Sequence, residues 1–255
     1  NINRFLQRMY SEIKKIRPWI KVGISPFGIW RPGYPKTIKG LDAYDSLYAD
    51  ARKWINNGWL DYCAPQLYWS IESPGQSYPK LLKWWAGENK KQRHLWIGNN
   101  SAKVNPWKAD EIVKQIGLTR KERSATGNIH WNVSALVDNR GNLSTKLQKT
   151  TYREPALVPA SPWLDNIPPA KPQVTMKAAE KPGQLLISWY NRTREPIPQW
   201  VFQMRIKGKW STLIFPREQN SALMNITGPM TPDAFALTAI DRAGNASVPA
   251  VLSKR

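Results

Sequence analysis

The stretch that decides the fold is Gly58-Trp59-Leu60-Asp61-Tyr62-Cys63-Ala64-Pro65-Gln66-Leu67-Tyr68-Trp69. Its short apolar and aromatic run lies between turn formers, with helical patterns on both sides, which predicts a buried strand. Gln66, Tyr68 and Trp69 place an amide, a phenol and an indole where this strand leaves the core. Ligands of parallel α/β proteins bind at the carboxyl ends of strands, and aromatic faces beside an amide suit a sugar. The three side chains therefore bind a ligand or, alternatively, only cap the core.

The composition indicates a folded protein with one large domain or two modest ones. The chain has 255 residues, 41% of them hydrophobic, and 14 are tryptophan, which supports a true core. It has no apolar run of the roughly 18 residues that a membrane span requires. Cys63 is the only cysteine, so an internal disulfide and a cysteine-based zinc cluster are excluded, and we expect it to be a small core residue.

The net charge of +20 suggests an anionic partner or a solvated basic surface. Nucleic acid is one candidate, because a basic face binds phosphates by releasing counterions. An anionic polymer of a cell envelope, or a membrane surface, is another. Lysines and arginines are spread along the chain, which favours a solvated surface or a diffuse attraction. Basic charge alone makes nucleic acid the last of our hypotheses, and we do not expect it as the partner.

The first part of the chain alternates strand and helix patterns. A helix at 2–17 precedes four strand–helix units, which predicts parallel strands with right-handed crossovers. The remaining predicted elements are strands at 20–25, 58–69, 94–98 and 127–134 and helices at 42–57, 107–122 and 143–151. A further helix follows the loop 70–77 and carries Leu81, Leu82, Trp84 and Trp85.

Four such units correspond to half of a (β/α)₈ barrel, which takes roughly 250 residues for eight units. The predicted fold class is therefore α/β, the C-terminal half of a TIM barrel, followed by a small all-β sandwich. A half barrel has two open strand edges and an open apolar interior, so we expect a preceding half to be missing from this chain. A small open α/β sheet is the alternative.

The second part of the chain has another pattern. Residues 153–172 contain six prolines without periodicity, which predicts a linker. Short strands separated by turns follow, which predicts an antiparallel sandwich. The turn at 241–245 and the pair Ser188-Trp189 resemble fibronectin type III domains. The predicted domains are thus 1–152, the linker 153–172, and a sandwich at 173–255.

The chemistry of the site is only partly predicted. His94 and His130 lie on different strands without carboxylate spacing, so we expect no metal, and no glycine-rich phosphate loop indicates a cofactor. Acid–base work by two carboxylates is the default chemistry. Asp61 and Asp42 are candidates, but Asp61 begins its strand and Asp42 caps a helix, so the catalytic residues stay unknown. The predicted substrate-binding residues follow strands at the same barrel face and are Ser25, Phe27, Trp30, Gln66, Tyr68, Trp69 and Asn99.

An ordered set of sequence blocks carries a resemblance to a known family. The blocks are Gly23-Ile24-Ser25-Pro26-Phe27-Gly28-Ile29-Trp30-Arg31, Tyr48-Ala49-Asp50 with Trp54-Ile55, Asp61-Tyr62 with Pro65-Gln66-Leu67-Tyr68-Trp69, and then Tyr78, Leu82, Trp84-Trp85 and Ile97-Gly98. Over roughly residues 1–155 the chain resembles the glycosyl hydrolase-like 10 family. The resemblance implies a TIM barrel of the bacterial cell envelope that cleaves peptidoglycan glycan strands, and an envelope or secreted location.

The family's best candidates for catalytic acids form an Asp-Asp-Tyr motif before the helix at which this chain begins. The resemblance therefore implies a partial substrate cleft, and we expect this chain alone to hydrolyse nothing at a useful rate. Its expected partners are a cell-wall glycan or related polysaccharide and the other barrel half. The alternative function is a non-catalytic carbohydrate-binding or envelope scaffold protein.

Overall fold

The computed structural model describes residues 1–193, 195–228 and 231–253. The chain divides into two compact units, residues 1–153 and 154–255. Positions 194, 229–230 and 254–255 of the predicted sandwich lie outside the described residues.

The first unit is an α/β fold with a four-stranded parallel sheet in the order β1-β2-β3-β4, which confirms the predicted fold class at this level. Two short 3₁₀ turns, Ser101–Lys103 and Arg140–Asn142, accompany its helices and strands. Those are α1 (Ile2–Ile16), β1 (Gly23–Ile24), α2 (Ala43–Ser46), α3 (Ala51–Asn56), β2 (Tyr62–Cys63), α4 (Tyr78–Glu88), β3 (His94–Asn100), α5 (Val104–Lys121), β4 (Gly127–Trp131), α6 (Val133–Val137) and α7 (Leu143–Lys149).

The central stretch crosses the sheet, but its regular strand is shorter than the predicted 58–69. Gly58 has a φ of 71°, a left-handed conformation that suits glycine and makes a turn before β2. After β2, the Gln66 amide donates to the Pro26 carbonyl at 3.0 Å. Pro65 lies between β2 and Gln66 in the sequence. It has no N–H to donate, so the regular hydrogen-bond ladder of β2 stops before it.

The predicted single helix at 42–57 is wrong, because two short helices occupy this range. Asp42 caps α2 as expected, with its side chain accepting from the Asp45 amide at 3.0 Å. Tyr48 then adopts a φ of 52°, which breaks the helix. Asp50 starts α3 by accepting a hydrogen bond from the Lys53 amide at 3.2 Å.

The predicted strand at 127–134 also ends early. Its regular pairing stops at Trp131, and the Asn132 side chain accepts from the Ala135 amide as the cap of α6. Asparagine favours this cap position over a strand interior, because its short side chain bonds to nearby backbone.

The two faces of the sheet differ. Side chains alternate along a strand, so one face carries Cys63, Leu95 and Ile97, which are completely buried in a cluster with Leu81 and Trp85 of α4. We call the other side the inner face. On it Tyr62 stacks on Trp96 with ring centroids 4.5 Å apart. At its β4 border Ile129 is 39% exposed and Trp131 is 56% exposed.

The second unit is built from antiparallel strands in two sheets, which confirms the predicted all-β part. The sheet orders are β5-β6-β9 and β11-β10-β7-β8. Its core includes the stacked pair Trp189 and Phe215, whose centroids are 5.7 Å apart. The strands are β5 (Gln173–Ala178), β6 (Gln184–Tyr190), β7 (Gln199–Ile206), β8 (Lys209–Pro216), β9 (Ser221–Asn225), β10 (Ala234–Ile240) and β11 (Ala250–Ser253).

Candidate functional site

The carboxyl ends of the four parallel strands form one edge of the inner face. Parallel bridges join Phe27 to Gln66 and Gln66 to Gly98, and β3 pairs Gly98 with Ile129. These four residues therefore form a continuous cross-strand row. We call this row and the residues that border it the carboxyl edge.

The structure brings Ser25 and Gln66, two of the predicted binding residues, together at the carboxyl edge. The Gln66 Nε2 atom donates to the Ser25 carbonyl oxygen at 3.0 Å and approaches the Ser25 Oγ at 3.3 Å. The Ser25 hydroxyl in turn donates to the Ala64 carbonyl at 2.9 Å. These contacts fix the amide, and among the described residues none donates to Gln66 Oε1, so this oxygen can accept from a ligand hydroxyl.

Tyr68 lies beside Gly98 on the inner face. A Cβ atom on Gly98 would be 3.2 Å from the Tyr68 Cε1 atom and 3.0 Å from the Pro65 carbonyl oxygen, so glycine makes room for the ring. Burial raises the pKa of the Tyr68 hydroxyl, which therefore stays protonated at neutral pH and can donate a hydrogen bond.

Phe27 and Trp69 form an edge-to-face pair with ring centroids 5.4 Å apart. Both rings are half-buried and pack against the main core cluster. The Trp69 carbonyl accepts from Gln115 of α5 at 3.1 Å. Trp69 is thus attached to the core on one side, which agrees with the capping alternative more than with a free sugar platform.

Trp30 lies away from the carboxyl edge. It is 8% exposed and stacks on Trp84 of α4 with centroids 5.9 Å apart. Its Nε1 donates to Asp50 at 3.2 Å. The expectation that Trp30 lines the same cleft as Tyr68 is corrected by this position, because the loop after β1 turns the indole toward the helices.

Asn99 is also placed differently from the expectation, because it is completely buried between the sheet and the helices. Its Nδ2 donates to Gln115 Oε1 at 2.8 Å and to the Tyr78 hydroxyl at 3.2 Å, and its Oδ1 accepts from Asn128 at 2.6 Å. The physical reason is the alternation of strand side chains, which puts Asn99 on the same face as Leu95 and Ile97.

Two residues at the carboxyl edge were missed by the sequence analysis. Asn100 and Trp131 are register partners at the ends of β3 and β4. The Asn100 Oδ1 atom is buried and has no donor within the described part of the chain, and Trp131 exposes 56% of its surface. Trp131 ends β4 and, like Trp69, is an indole beyond the apolar part of its segment. An aromatic residue in that position was the signal that could have identified it.

The two candidate carboxylates both have structural partners. Asp61, at the amino end of β2, is completely buried and accepts from Lys14 Nζ at 2.6 Å, Tyr10 OH at 2.8 Å and the Val22 amide at 2.7 Å. The hydrogen bond from the Asp45 amide, together with Arg31, lowers the pKa of Asp42. These contacts occupy both carboxylates, and Asp61 lies at the sheet end opposite the carboxyl edge.

No group of three or more His, Cys, Asp or Glu side chains is arranged to hold a metal ion within residues 1–193, 195–228 and 231–253. Over the same ranges, none of the helices has both the length and the apolar character that crossing a membrane requires.

Comparison with known proteins identifies relatives of this chain. Residues 1–114 match the family described as Glycosyl hydrolase-like 10. The chain is 36% identical over 266 residues to the glycosyl hydrolase YngK of Bacillus subtilis, an alignment that covers 97% of this chain and 52% of that protein. It is 34% identical over 145 residues to the glycosyl hydrolase DigH of Escherichia coli K12, covering 51% of this chain and 33% of that protein. The chain thus spans about half the length of the Bacillus relative.

Among solved structures, the chain is similar to an FN3 domain of human collagen XX, with a TM-score of 0.27 and 15% identity, covering 39% of this chain and all of that one. It is also similar to the FN1–FN3 domains of chicken CNTN1, with a TM-score of 0.26 and 14% identity, covering 34% of this chain and 31% of that one.

Proposed function

We propose that the carboxyl edge binds the glycan strands of peptidoglycan, because residues 1–114 match the glycosyl hydrolase-like 10 family. The protein is glycoside hydrolase-like, and the proposal places it in the bacterial cell envelope or outside the cell, as part of a barrel that acts on cell-wall glycan.

The observation that supports glycan binding is the composition of the carboxyl edge. The anchored Gln66 amide, the Tyr68 hydroxyl and the half-exposed Trp131 ring belong to neighbouring strands of one sheet. A pyranose offers apolar C–H faces that stack on a ring and hydroxyls that need paired donors and acceptors. Convergent polar groups beside aromatic surface at strand ends are the usual composition of a ligand site.

We also propose that the four-stranded sheet is a segment of a (β/α)₈ barrel. The strand order β1-β2-β3-β4 is sequential, and α4 and α5 cover the face opposite the inner face. Doubly wound sheets instead reverse their strand order and carry helices on both faces. The exposed Ile129 is expected to be covered by the remaining strands of the barrel, while Trp131, at the carboxyl end of β4, faces the cleft that those strands complete.

Glycan cleavage in this barrel is proposed to depend on carboxylates other than Asp42 and Asp61. A glycosidase ordinarily needs an acid and a nucleophile or base roughly 5–10 Å apart across the scissile bond. Asp61 is held by Lys14, Tyr10 and Val22, and Asp42 is held by Asp45 and Arg31. This chain is therefore expected to bind glycan without hydrolysing it at a useful rate.

The experiment that tests glycan binding is calorimetric titration with purified peptidoglycan glycan fragments. Trp131→Ala is expected to weaken binding by about 1–3 kcal/mol, the size of an aromatic stacking contribution. The matched control is Tyr190→Ala in the second unit, since Tyr190 is 54% exposed and lies outside the carboxyl edge. Equal affinity of Trp131→Ala and the unchanged chain would contradict the proposed site.

A non-catalytic carbohydrate-binding protein is the second candidate, and it is favoured by the full occupation of Asp61. Zymography against peptidoglycan separates the two functions when it is run on a completed barrel, which should cleave glycan under the first candidate function and not under the second. Clear cleavage by residues 1–255 that is abolished by Asp61→Asn, with the fold intact by circular dichroism, would mean that the catalytic end of the sheet has been misplaced.

A further inference from the structure

A cavity lies on the helix side of the first unit, away from the carboxyl edge. It has a volume of about 430 Å³, and its walls include the aromatic residues Trp30 and Tyr44. Four cationic side chains also line it, Arg31, Arg52, Lys53 and Lys90.

The two arginines of this cavity are held in place. The Arg52 guanidinium lies 5.0 Å from the Trp30 ring centroid, and its Nε donates to Glu88 at 2.8 Å. The Arg31 guanidinium lies 4.7 Å from the Tyr44 ring centroid, and its Nε donates to Asp42 at 3.1 Å. Each guanidinium is thus fixed through one edge, which leaves its terminal N–H groups as oriented donors at low entropic cost.

The charge of the cavity is weakly positive. Asp50 also lines it, but its Oδ1 accepts from the Trp30 indole and the Lys53 amide. Counting Asp42 and Glu88 with their arginines, four cations face three carboxylates, so one positive charge remains. Lys53 and Lys90 are exposed, and no carboxylate is within ion-pair distance of either ammonium group in the described ranges.

We propose that this cavity binds a phosphodiester-linked polyol, with the phosphate held by Arg31, Arg52, Lys53 and Lys90. A phosphodiester carries one negative charge, which balances the one remaining positive charge, and oriented guanidinium donors match its oxygens. Asn56 at the wall donates through Nδ2 to Glu88, while its buried Oδ1 has no donor among the described residues. A polyol hydroxyl entering beside Asn56 supplies that missing donor.

The structure favours a polyol over a nucleic acid as the phosphodiester partner. Sequence-independent binding of single strands requires aromatic faces on which bases stack. The Trp30 ring is 8% exposed, lies against Trp84 on one side, and is approached by Arg52. No free face of Trp30 is therefore offered to a base, and the Tyr44 ring, although 39% exposed, has the Arg31 guanidinium over it at 4.7 Å. Polyol binding in this cavity does not depend on glycan binding at the carboxyl edge.

The test is titration of the full chain with an oligomer of glycerol phosphate at two salt concentrations. The double substitution Lys53→Ala with Lys90→Ala is expected to lower affinity about tenfold and to reduce the salt dependence, because two phosphate contacts are lost. The matched control removes the same charge from the second unit through Lys177→Ala with Lys181→Ala, two exposed lysines, and is expected to change affinity less than about twofold.

A further variant tests whether the cavity itself holds the phosphate. Arg52→Lys keeps the positive charge but removes the planar set of guanidinium N–H donors. A several-fold loss of affinity for the glycerol phosphate oligomer in this variant supports phosphate binding in the cavity. Equal losses in the two double variants, no binding at millimolar concentration, or tighter binding of a single-stranded oligonucleotide would overturn the proposal. The affinity of the Lys53→Ala, Lys90→Ala variant for glycan is expected to be unchanged. A failure of the cavity proposal can therefore be distinguished from a failure of the glycan site at the carboxyl edge.

Discussion

The two ends of the parallel sheet differ in how their polar side chains are satisfied. At the amino end the carboxylate of Asp61 is completely buried and receives donors from Lys14, Tyr10 and Val22. At the carboxyl end the Asn100 Oδ1 atom has no donor within the described residues, and Trp131 is more than half exposed. The fully paired carboxylate at the amino end stabilises the fold. At the carboxyl end, a ligand could supply the hydrogen bond that Asn100 lacks and cover the Trp131 ring.

The comparison shows that a buried carboxylate is not by itself a catalytic one. Asp61 is the most enclosed acid described in the first unit, yet its contacts hold α1 against the start of β2. In α/β barrels, the amino-terminal face contributes stability and the carboxyl-terminal face carries function. Substitutions at the two ends are therefore expected to separate stability from binding.

The largest expected effect is at the amino end. Asp61→Asn leaves the Lys14 ammonium, 17% exposed, without its counter-charge, which is expected to cost about 3–5 kcal/mol of unfolding free energy. Urea denaturation followed by tryptophan fluorescence measures this loss. Asp138→Asn is the matched control, since its pair with Arg140 is exposed and is worth less than about 1 kcal/mol. Similar midpoints for both variants would remove the distinction between the two ends.

Gly28→Ala tests whether the carboxyl end also contains a rigid element. A Cβ atom at this position would lie 2.2 Å from the Gln66 carbonyl oxygen, so the two chain segments must separate. We expect a loss of about 1–3 kcal/mol in stability and weaker glycan binding, since Gln66 moves. Gly75→Ala is the control, because its Cβ would meet only an ordinary contact at 3.7 Å from Lys39. Unchanged stability of Gly28→Ala would contradict the close approach.

The amino end is also expected to give a pH dependence through His94. Burial, with Lys21 nearby, lowers the pKa of this imidazole to about 4, against about 6.5 in the unfolded chain. Between these two pH values His94 is protonated in the unfolded chain but stays neutral in the folded chain. The contribution of His94 to stability is therefore full above about pH 6.5 and is lost as the pH falls toward 4.

Urea midpoints at about pH 7.5 and about pH 5 measure this effect, expected to be about 1–2 kcal/mol after allowance for solvent screening. His94→Gln lacks the titrating group and should lose less stability over that interval. An equal loss in both proteins would assign the pH dependence to other groups.

The smallest expected effect on stability is at the carboxyl edge. Ser25→Ala removes a hydroxyl on an exposed residue that donates to Ala64, which is expected to cost less than about 1 kcal/mol. Glycan affinity should nevertheless fall, because Gln66 loses one of its two contacts with Ser25. Ser101→Ala provides the contrast, since its completely buried hydroxyl lies 2.7 Å from His130 Nδ1 and its loss should cost about 1–3 kcal/mol. A larger loss for Ser25 than for Ser101 would reverse the comparison.

The elements with a strong period were predictable from the sequence. The helical spacing of apolar residues places α1 and α5 within a few residues of their observed bounds, and α4 contains the predicted Leu81, Leu82, Trp84 and Trp85. The break between α2 and α3 was not predictable in this way, because the apolar face continues through it while Tyr48 adopts a left-handed conformation. Local backbone geometry, rather than the apolar pattern, decides that boundary.

The candidate site was predictable only where strand order alone fixes it. Ser25 and Gln66 meet because both end neighbouring parallel strands. Asn99 and Asn100 differ by one position, and only the observed register shows which of them is buried between sheet and helices. The position of Trp30 depends on the course of an irregular loop, for which the sequence offers no period.

The reactivity of the buried Cys63 thiol can report local unfolding of the parallel sheet. The side chain has no exposed surface, and burial raises the pKa of the thiol, so the reactive thiolate is scarce in the folded chain. Because Cys63 is the only cysteine, a maleimide reagent should modify the native chain only as fast as the centre of the sheet separates. A new cysteine on the surface could then carry a fluorophore without any need to remove the natural one.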